Sequence, residues 1–336
     1  MKGIRGTLTE NAPLGAQSWF RCGGHADLLF QPADADDLAV FLKVWPLTPK
    51  KSPPGEGRGS TKTPLPLSGG GLGWGGKSAW GGNLTIIGGM ANTIVRDGGI
   101  RGATIQLGKP FAEVKVLDGR YIQAGCGALN GNVAAAAVKA GIGGLEFLSG
   151  IPGTLGGALR MNAGAYGSEI KDVLIGVNAI TRAGHEIRIV LEDLKMSYRH
   201  TELPEEMIFT SAILKGVAED YETVKARITE IKKKRNDTQP IKEKTGGSTF
   251  ANPPPAELRK AGLPEDTRAW QVVEKVGARG LRVGGAQMSK KHCNFMINTG
   301  DATARDLEML GEEIRKRAKH DLGLTLHWEI QRVGEV

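Results

Sequence analysis

Leu148-Ser149-Gly150-Ile151-Pro152-Gly153-Thr154-Leu155-Gly156-Gly157-Ala158, followed shortly by Asn162-Ala163-Gly164-Ala165-Tyr166-Gly167, is the densest signal in the chain. Glycines this closely spaced let a backbone approach a ligand, and consecutive N–H groups in such turns form concavities that hold anions. A dinucleotide pyrophosphate is the natural guest. The stretch is not a Rossmann fingerprint, because Pro152 interrupts it and no GxGxxG opens a helix directly after a strand. Nor is it a Walker A loop, since no Gly-Lys-Ser/Thr follows. Taken alone it fits a structural turn equally well. Two more glycine turns stand at expected strand ends, Gly88-Gly89-Met90-Ala91-Asn92 after Ile87 and Phe20-Arg21-Cys22-Gly23-Gly24 near the start. Together the three predict one extended cofactor cradled from several sides.

The chain around these turns is that of an ordinary globular protein. Its 336 residues are 40% hydrophobic and 24% charged, which excludes fibrous and wholly disordered architectures and predicts two or three domains. No apolar run reaches the roughly 18 to 20 residues of a membrane span, and the opening MKGIRGTLTENAPLG lacks the apolar core of a secretory signal, so a cytoplasmic location without membrane insertion is expected. Cys22, Cys126 and Cys293 lie far apart with no CxxC spacing, which points away from disulfides or a metal site and toward small core residues. The net charge of +8 raises nucleic acid or anionic ligands as partners. About half of that excess, however, sits in residues 46–83, where Lys50, Lys51, Arg58, Lys62 and Lys77 stand against Glu56 alone. With aromatics at 5% and no recognised module, no nucleic-acid partner is expected.

Residues 46–83 are rich in Gly, Pro, Ser and Lys and show neither strand nor helix period, so they read as a disordered insertion. Trp74 and Trp80 within it leave open a small docking patch. The insertion falls between a helical segment, Asp34 to Trp45, and a strand, Leu84 to Ile87. Short strands follow at Ala103–Leu107, Val114–Leu117 and Tyr121–Ala124, then a small-residue helix over Asn132–Ala140. Tyr221, Val224, Ile228 and Ile231 recur at helical spacing and lead into the basic run Lys232 to Arg235. A second long helix is predicted from Thr303 to His320, with Leu307, Leu310 and Ile314 on one face. A closing strand is predicted over Leu324 to Ile330, with Leu324, Leu326, Trp328 and Ile330 facing one way and Thr325, His327 and Glu329 the other.

Seven stretches in order, Phe20-Arg21-Cys22-Gly23-Gly24, Val95-Arg96-Asp97-Gly98-Gly99, Gly150 to Gly157, Asn162 to Gly167, Ser197-Tyr198-Arg199, Gly247-Ser248-Thr249-Phe250-Ala251-Asn252-Pro253 and Trp328-Glu329-Ile330, resemble the UDP-N-acetylenolpyruvoylglucosamine reductases. The likeness spans nearly the whole chain and is interrupted only by residues 46–83. It implies an α+β architecture, with a two-subdomain FAD-binding region of the vanillyl-alcohol-oxidase type over 1–45 and 84–218 and a C-terminal α/β substrate domain over 219–336. It also implies tightly bound FAD, NADPH as hydride donor, and a UDP-sugar enolpyruvyl ether reduced for peptidoglycan synthesis, with hydride passing from flavin N5 to C3. A flavin suits that role because no protein side chain supplies a hydride. The short spacing from Tyr198-Arg199 to Ser248 suggests the form of the family that lacks an extra Tyr-bearing substrate loop. Monomer is the simplest expectation.

Carried over by position, the resemblance implies Ser248 as proton donor to C2, with Arg199 and Glu329 as the other catalytic residues. Glycines before Ser248 let its turn bend close to a ligand, although serine also caps turns. A guanidinium presents fixed donors to the charge that hydride addition pushes into the substrate carboxylate. Glu329 can help only if its pKa is raised or if it is tied directly to a donor. On spacing alone, Arg199 reads as a surface ion-pair partner and Glu329 as a solvated strand-face carboxylate. The implied cofactor-binding set is Arg21, Gly23, Gly24, Gly88, Gly89, Asn92, Gly150, Ile151, Pro152, Gly153, Thr154, Gly156, Gly157, Asn162, Gly164 and Ala165. Tyr198, Arg235, Asn252, His292 and Asn294 are the implied substrate contacts, and no metal is implied.

One departure stands out. Where the family shows Gly-x-Gly-Ser-Asn, this chain has Gly88-Gly89-Met90-Ala91-Asn92; Met90 takes a positive φ only at a cost and Ala91 has no hydroxyl, so either FAD binding is altered or Gly89 shifts the turn. Two rival readings stay open. One is a flavoprotein of the same fold that oxidises an alcohol or hydroxy acid, since fold does not fix reaction. The other is a catalytically silent flavin or nucleotide binder.

Overall fold

In the computed structural model, which describes residues 3–45, 83–203 and 207–336, Asp34 caps the helix Ala35–Val44 by accepting from Asp37 N at 2.9 Å. The expected insertion, Asn83 apart, lies outside the described residues. Leu38, Phe41 and Leu42 of that helix pack on Leu28, Phe30, Leu84 and Ile105 of a four-stranded sheet. Its strand order is Thr7–Pro13, His25–Gln31, Ile100–Gln106, Leu84–Ile87; the first pair is antiparallel and the other two are parallel. The parallel strand Leu84–Ile87 therefore delivers Gly88–Asn92 at its carboxyl end, the edge where open α/β sheets bind ligands.

The second layer is a five-stranded antiparallel sheet in the order Glu186–Val190, Leu174–Ile180, Ile208–Lys215, Tyr121–Gly125, Val114–Leu117. Alternation in Tyr121–Gly125 turns Ile122 and Ala124 inward, both fully buried. The helices Asn130–Lys139 and Leu155–Arg160 cover this face. So does the front half of Tyr221–Thr238, which buries Val224 and Ile228 in the same core. Arg182 joins the two layers by donating to the carbonyls of Leu42 and Trp45 at the end of the first helix.

The last layer is a small antiparallel sheet, Lys244–Thr245, Met296–Asn298, Ala286–Met288, Arg282–Val283, packed with the helices Ala269–Lys275 and Ala304–Leu322. Thr303 and Asp306 form a capping box at the start of the long helix, whose Leu307, Leu310 and Ile314 are fully buried as the spacing predicts. The closing strand differs from expectation. The alternation holds, with Leu324, Leu326 and Ile330 buried, but the only pairing inside 324–330 is the isolated bridge Phe250–Trp328. Ala251 N to His327 O and Glu329 N to Thr249 O make that bridge, and Ile330 N leans on the same Thr249 carbonyl at 3.4 Å, so the pairing goes no further. The regular strand is Gln331–Val333, and it pairs in parallel with Thr93–Val95 of the N-terminal half.

A latch reinforces that return. Asp97 accepts from Ala304 N and Arg305 N at the start of the long helix, and Arg96 bonds Glu308 at 2.9 Å. Cys126 and Cys293 are buried and Cys22 is half-buried, with burial pushing the Cys22 thiol up to about 12. Among the described residues no helix is long and apolar enough to cross a membrane.

Candidate active site

Two of the three glycine turns meet. A Cβ on Gly88 would fall 2.6 Å from Thr154 Oγ1, and one on Gly89 would fall 3.2 Å from Gly153 Cα. Gly153 itself takes φ +88°, a region that favours glycine, and faces Ala91. Leu129 bridges Thr154, and Asn130 N donates to the Gly153 carbonyl, so the helix Asn130–Lys139 starts against the same turn. Met90 does adopt the left-handed conformation, at φ 48°, and Gly89 does not take over that position. A left-handed residue costs about 1–2 kcal/mol. Burying the Met90 side chain, 4% exposed among Leu14, Ile87 and Val95, recovers about as much or more.

The third turn serves a different place. Gly23 and Gly24 lie hard against the backbone of Val95 to Gly99, and the Phe20 ring lies beneath Gly246. A Cβ at Gly246 would meet that ring at 2.7 Å, so Phe20 props the turn that carries Ser248. The Arg21 guanidinium is exposed and donates to Ala16 O.

Near that turn two of the three expected catalytic residues meet. Arg199 Nε donates to Glu329 Oε1 at 2.8 Å, and Arg199 Nη2 donates to the Gly164 carbonyl at 3.2 Å. Glu329 N donates to the Thr249 carbonyl at 2.8 Å, which ties its backbone to the residue after Ser248. The Glu329 side chain is 12% exposed. Burial pushes its carboxyl above the usual range, while Arg199 pulls it back. Both conditions required of a useful Glu329 are thus present. Ser248 is half-buried, and among the described residues its hydroxyl has no hydrogen-bond partner.

The neighbouring residues divide into those that face open space and those already committed. The Tyr198 ring lies under the Arg199 guanidinium at 5.1 Å, and its hydroxyl accepts from Asn252 Nδ2 at 3.3 Å. Arg235 is half-buried, bonded to Gln239 at 3.2 Å, with burial lowering its pKa. His292 Nδ1 accepts from Asn294 N, and burial followed by nearby Arg279 lowers the imidazole pKa, which keeps the ring neutral. Asn294 is 5% exposed and its amide exchanges two hydrogen bonds with the backbone of Phe250. Asn162 is fully buried and spends its amide on Ser197 O and Lys171 N, bracing the loop that carries Arg199. Gly164 and Ala165 pair with Glu169 and Ser168, Gly150 is covered by the Tyr166 ring, and Ile151 packs on the core beneath. Pro152 is half-buried, Gly156 lies against the carbonyl of Cys126, and Gly157 is exposed.

The chain is 44% identical to the UDP-N-acetylenolpyruvoylglucosamine reductase of Maricaulis maris over 99% of its own length and 94% of that protein. It is 45% identical to that of Parvibaculum lavamentivorans over 98% and 92%. It belongs to the UDP-N-acetylenolpyruvoylglucosamine reductase family. Residues 239–333 match the C-terminal domain of these reductases, and residues 78–189 match an FAD binding domain. A solved UDP-N-acetylenolpyruvylglucosamine reductase from Thermus caldophilus superposes with a TM-score of 0.72 at 27% identity, covering 98% of this chain and all of that one. As a member of the family the chain is an FAD-dependent oxidoreductase with the α+β architecture of an FAD-binding region followed by the reductase C-terminal domain.

The residues present fit that cofactor. Gly88, Gly89 and Gly153 bring two backbones together where any side chain would intrude. Buried Asn130, which opens the helix against this turn, has neither end of its amide paired and so keeps a free N–H donor. A cleft with glycine walls and spare polar capacity suits a diphosphate-bearing ligand.

Proposed function

We propose that the chain reduces UDP-N-acetylenolpyruvoylglucosamine to UDP-N-acetylmuramate with NADPH, a step that supplies peptidoglycan precursor. FAD held by Gly88, Gly89 and the Gly150–Gly157 turn would supply a hydride relay between NADPH and the enol ether. The C2=C3 bond of the substrate takes a hydride at C3 and a proton at C2, and NADPH leaves as NADP⁺. Ser248 gives the proton at C2; its half-buried, unpartnered hydroxyl is available for that contact. Arg199 holds the substrate carboxylate as charge develops on it. Glu329 orients that guanidinium and, with its raised pKa, polarises the carboxylate instead of repelling it. Tyr198, Asn252, His292 and Arg235 contact the UDP-sugar, Arg235 at the diphosphate, while Asn294, expected as a substrate contact, has its amide spent on Phe250 and braces the turn that carries Ser248.

The observation that carries this reading is the buried Arg199–Glu329 pair, whose Glu329 backbone is tied to Thr249, the residue after Ser248. An alcohol-oxidising flavoprotein does not need those three groups together. The further expectations of a monomeric cytoplasmic enzyme, of the form without the extra Tyr-bearing loop, and of a substrate domain beginning near residue 219 belong to the same proposal. The test is an absorbance spectrum followed by anaerobic reduction with NADPH and reoxidation with the enolpyruvyl substrate. Flavin that bleaches and then recovers supports the reaction; bound flavin that the substrate cannot reoxidise rules it out.

A further inference from the structure

Asn92 was expected to contact the cofactor, yet its side chain points its bonds elsewhere. Asn92 Nδ2 donates to the Glu329 carbonyl at 3.0 Å and touches Met161 Sδ at 3.4 Å. Its own carbonyl accepts from Gln331 N at 3.0 Å, two residues past Glu329. On the opposite side Gly247, next to Ser248, presses against the amide: a Cβ at Gly247 would stand 2.8 Å from Asn92 Oδ1. Met161 adjoins Asn162, whose amide holds the loop of Arg199. One side chain thus touches the segments that carry Ser248 and Glu329, although it comes from the turn after the N-terminal strand Leu84–Ile87.

We propose that Asn92 is a positioning residue, which sets Ser248 and Glu329 in register across the junction between the FAD-binding half and the C-terminal domain. The proposal rests on the reduction reaction given above. Backbone hydrogen bonds fix the direction of the segment 329–331 on one side of Asn92, and contact with Gly247 fixes the other. Losing the brace leaves the cofactor turn in place but frees both segments to shift. A displacement of about 1 Å at a reacting centre lowers rate by about a hundredfold.

The holoenzyme half-reactions separate this role from a cofactor contact. Stopped-flow measurement of flavin reduction by NADPH does not involve the proton donor, whereas reoxidation by the enolpyruvyl substrate does. For Asn92→Ala and Asn92→Asp, flavin content and reduction rate are expected within about twofold of the wild type. Reoxidation is expected to slow by about tenfold or more, in kcat more than in KM. Loss of flavin, or equal slowing of both halves, overturns the proposal in favour of a cofactor or general structural role; unchanged reoxidation overturns it outright. Wild-type enzyme that the substrate cannot reoxidise sinks the proposed reaction instead.

A double-mutant cycle gives an independent route should the Asn92 variants fold poorly. Gly247→Ala alone drives a methyl into Asn92 Oδ1 and slows reoxidation. With alanine at 92 the nearest remaining atom of that residue is Cβ, at 3.9 Å, an ordinary contact. The cost of Gly247→Ala is therefore expected to shrink severalfold in the Asn92→Ala background. Strictly additive effects would mean that the two side chains do not act on each other, and would overturn the brace.

Discussion

Arg199 and Glu329, 130 positions apart, share a 2.8 Å hydrogen bond with both side chains mostly withdrawn from solvent. Each is held by a different part of the chain: Arg199, at φ 54°, by Asn162 and Gly164, and Glu329 by Thr249 and Asn92. The pair therefore depends on both segments being held in place. A carboxylate this buried is costly unless paired, and removing one partner strands the other.

The raised pKa of Glu329 has a defined sign in stability. Burial makes the native state hold a proton that the unfolded chain has already released, so this group favours folding below the ordinary glutamate range. That contribution is lost as pH rises through the higher native pKa. Glu329→Gln does not titrate. Its melting temperature relative to wild type is expected to rise with pH across that window, while turnover collapses. Thermal unfolding of both proteins over a pH series checks this, and a flat or falling difference would mean that Arg199 outweighs burial.

Ser248→Ala isolates proton delivery. The methyl fits a half-buried position that has no hydrogen bond to lose, so stability is expected within about 0.5 kcal/mol of wild type. Flavin reduction by NADPH should be unchanged. Reoxidation by substrate should fall about 10²- to 10⁴-fold, the usual range for a general acid. Comparable loss in both half-reactions would show that Ser248 shapes the flavin site instead.

What the sequence made legible was local. Helix periods placed Val224 and Ile228, and Leu307, Leu310 and Ile314, on buried faces; glycine clusters marked the turns that meet at Gly88 and Thr154. The proposed catalytic set came only through resemblance, since spacing alone left Arg199 and Glu329 as surface groups. The braces were not legible at all. Asn92 reaches a partner 237 positions away, Asn294 one 44 away and Asn162 one 35 away, and an isolated asparagine carries no period or spacing that names such a partner. The closing strand was misplaced for a related reason: alternation reports which side chains are buried, not whether a partner runs alongside for more than the one bridge to Phe250.

Gly153 tests the cofactor turn. At φ +88° with Ala91 Cβ 3.2 Å from the missing methyl, Gly153→Ala strains the backbone by about 1–2 kcal/mol and narrows the cleft. FAD affinity should drop, so the rise in melting temperature on adding FAD should shrink. Gly131→Ala is the control. It lies in the helix Asn130–Lys139 with nothing within 4 Å of an added Cβ, and is expected to stabilise by about 0.5–1 kcal/mol without altering FAD binding.

Arg235 tests the reach of the substrate site. Among the described residues it has no ion-pair partner, only Gln239, and burial pulls its pKa down, so the folded protein bears the desolvation of a half-buried cation. A diphosphate at that place would compensate the charge. Arg235→Gln is therefore expected to stabilise or leave unchanged the substrate-free protein while raising KM for the UDP-sugar about tenfold, with kcat much less affected. Arg235→Lys keeps the charge but not the fork of donors, and should fall between the two. Titrating substrate against the melting temperature of each variant separates the effects. A substrate-induced shift that survives in Arg235→Gln would place the diphosphate elsewhere and leave Arg235 as a structural cation at the end of the 221–238 helix.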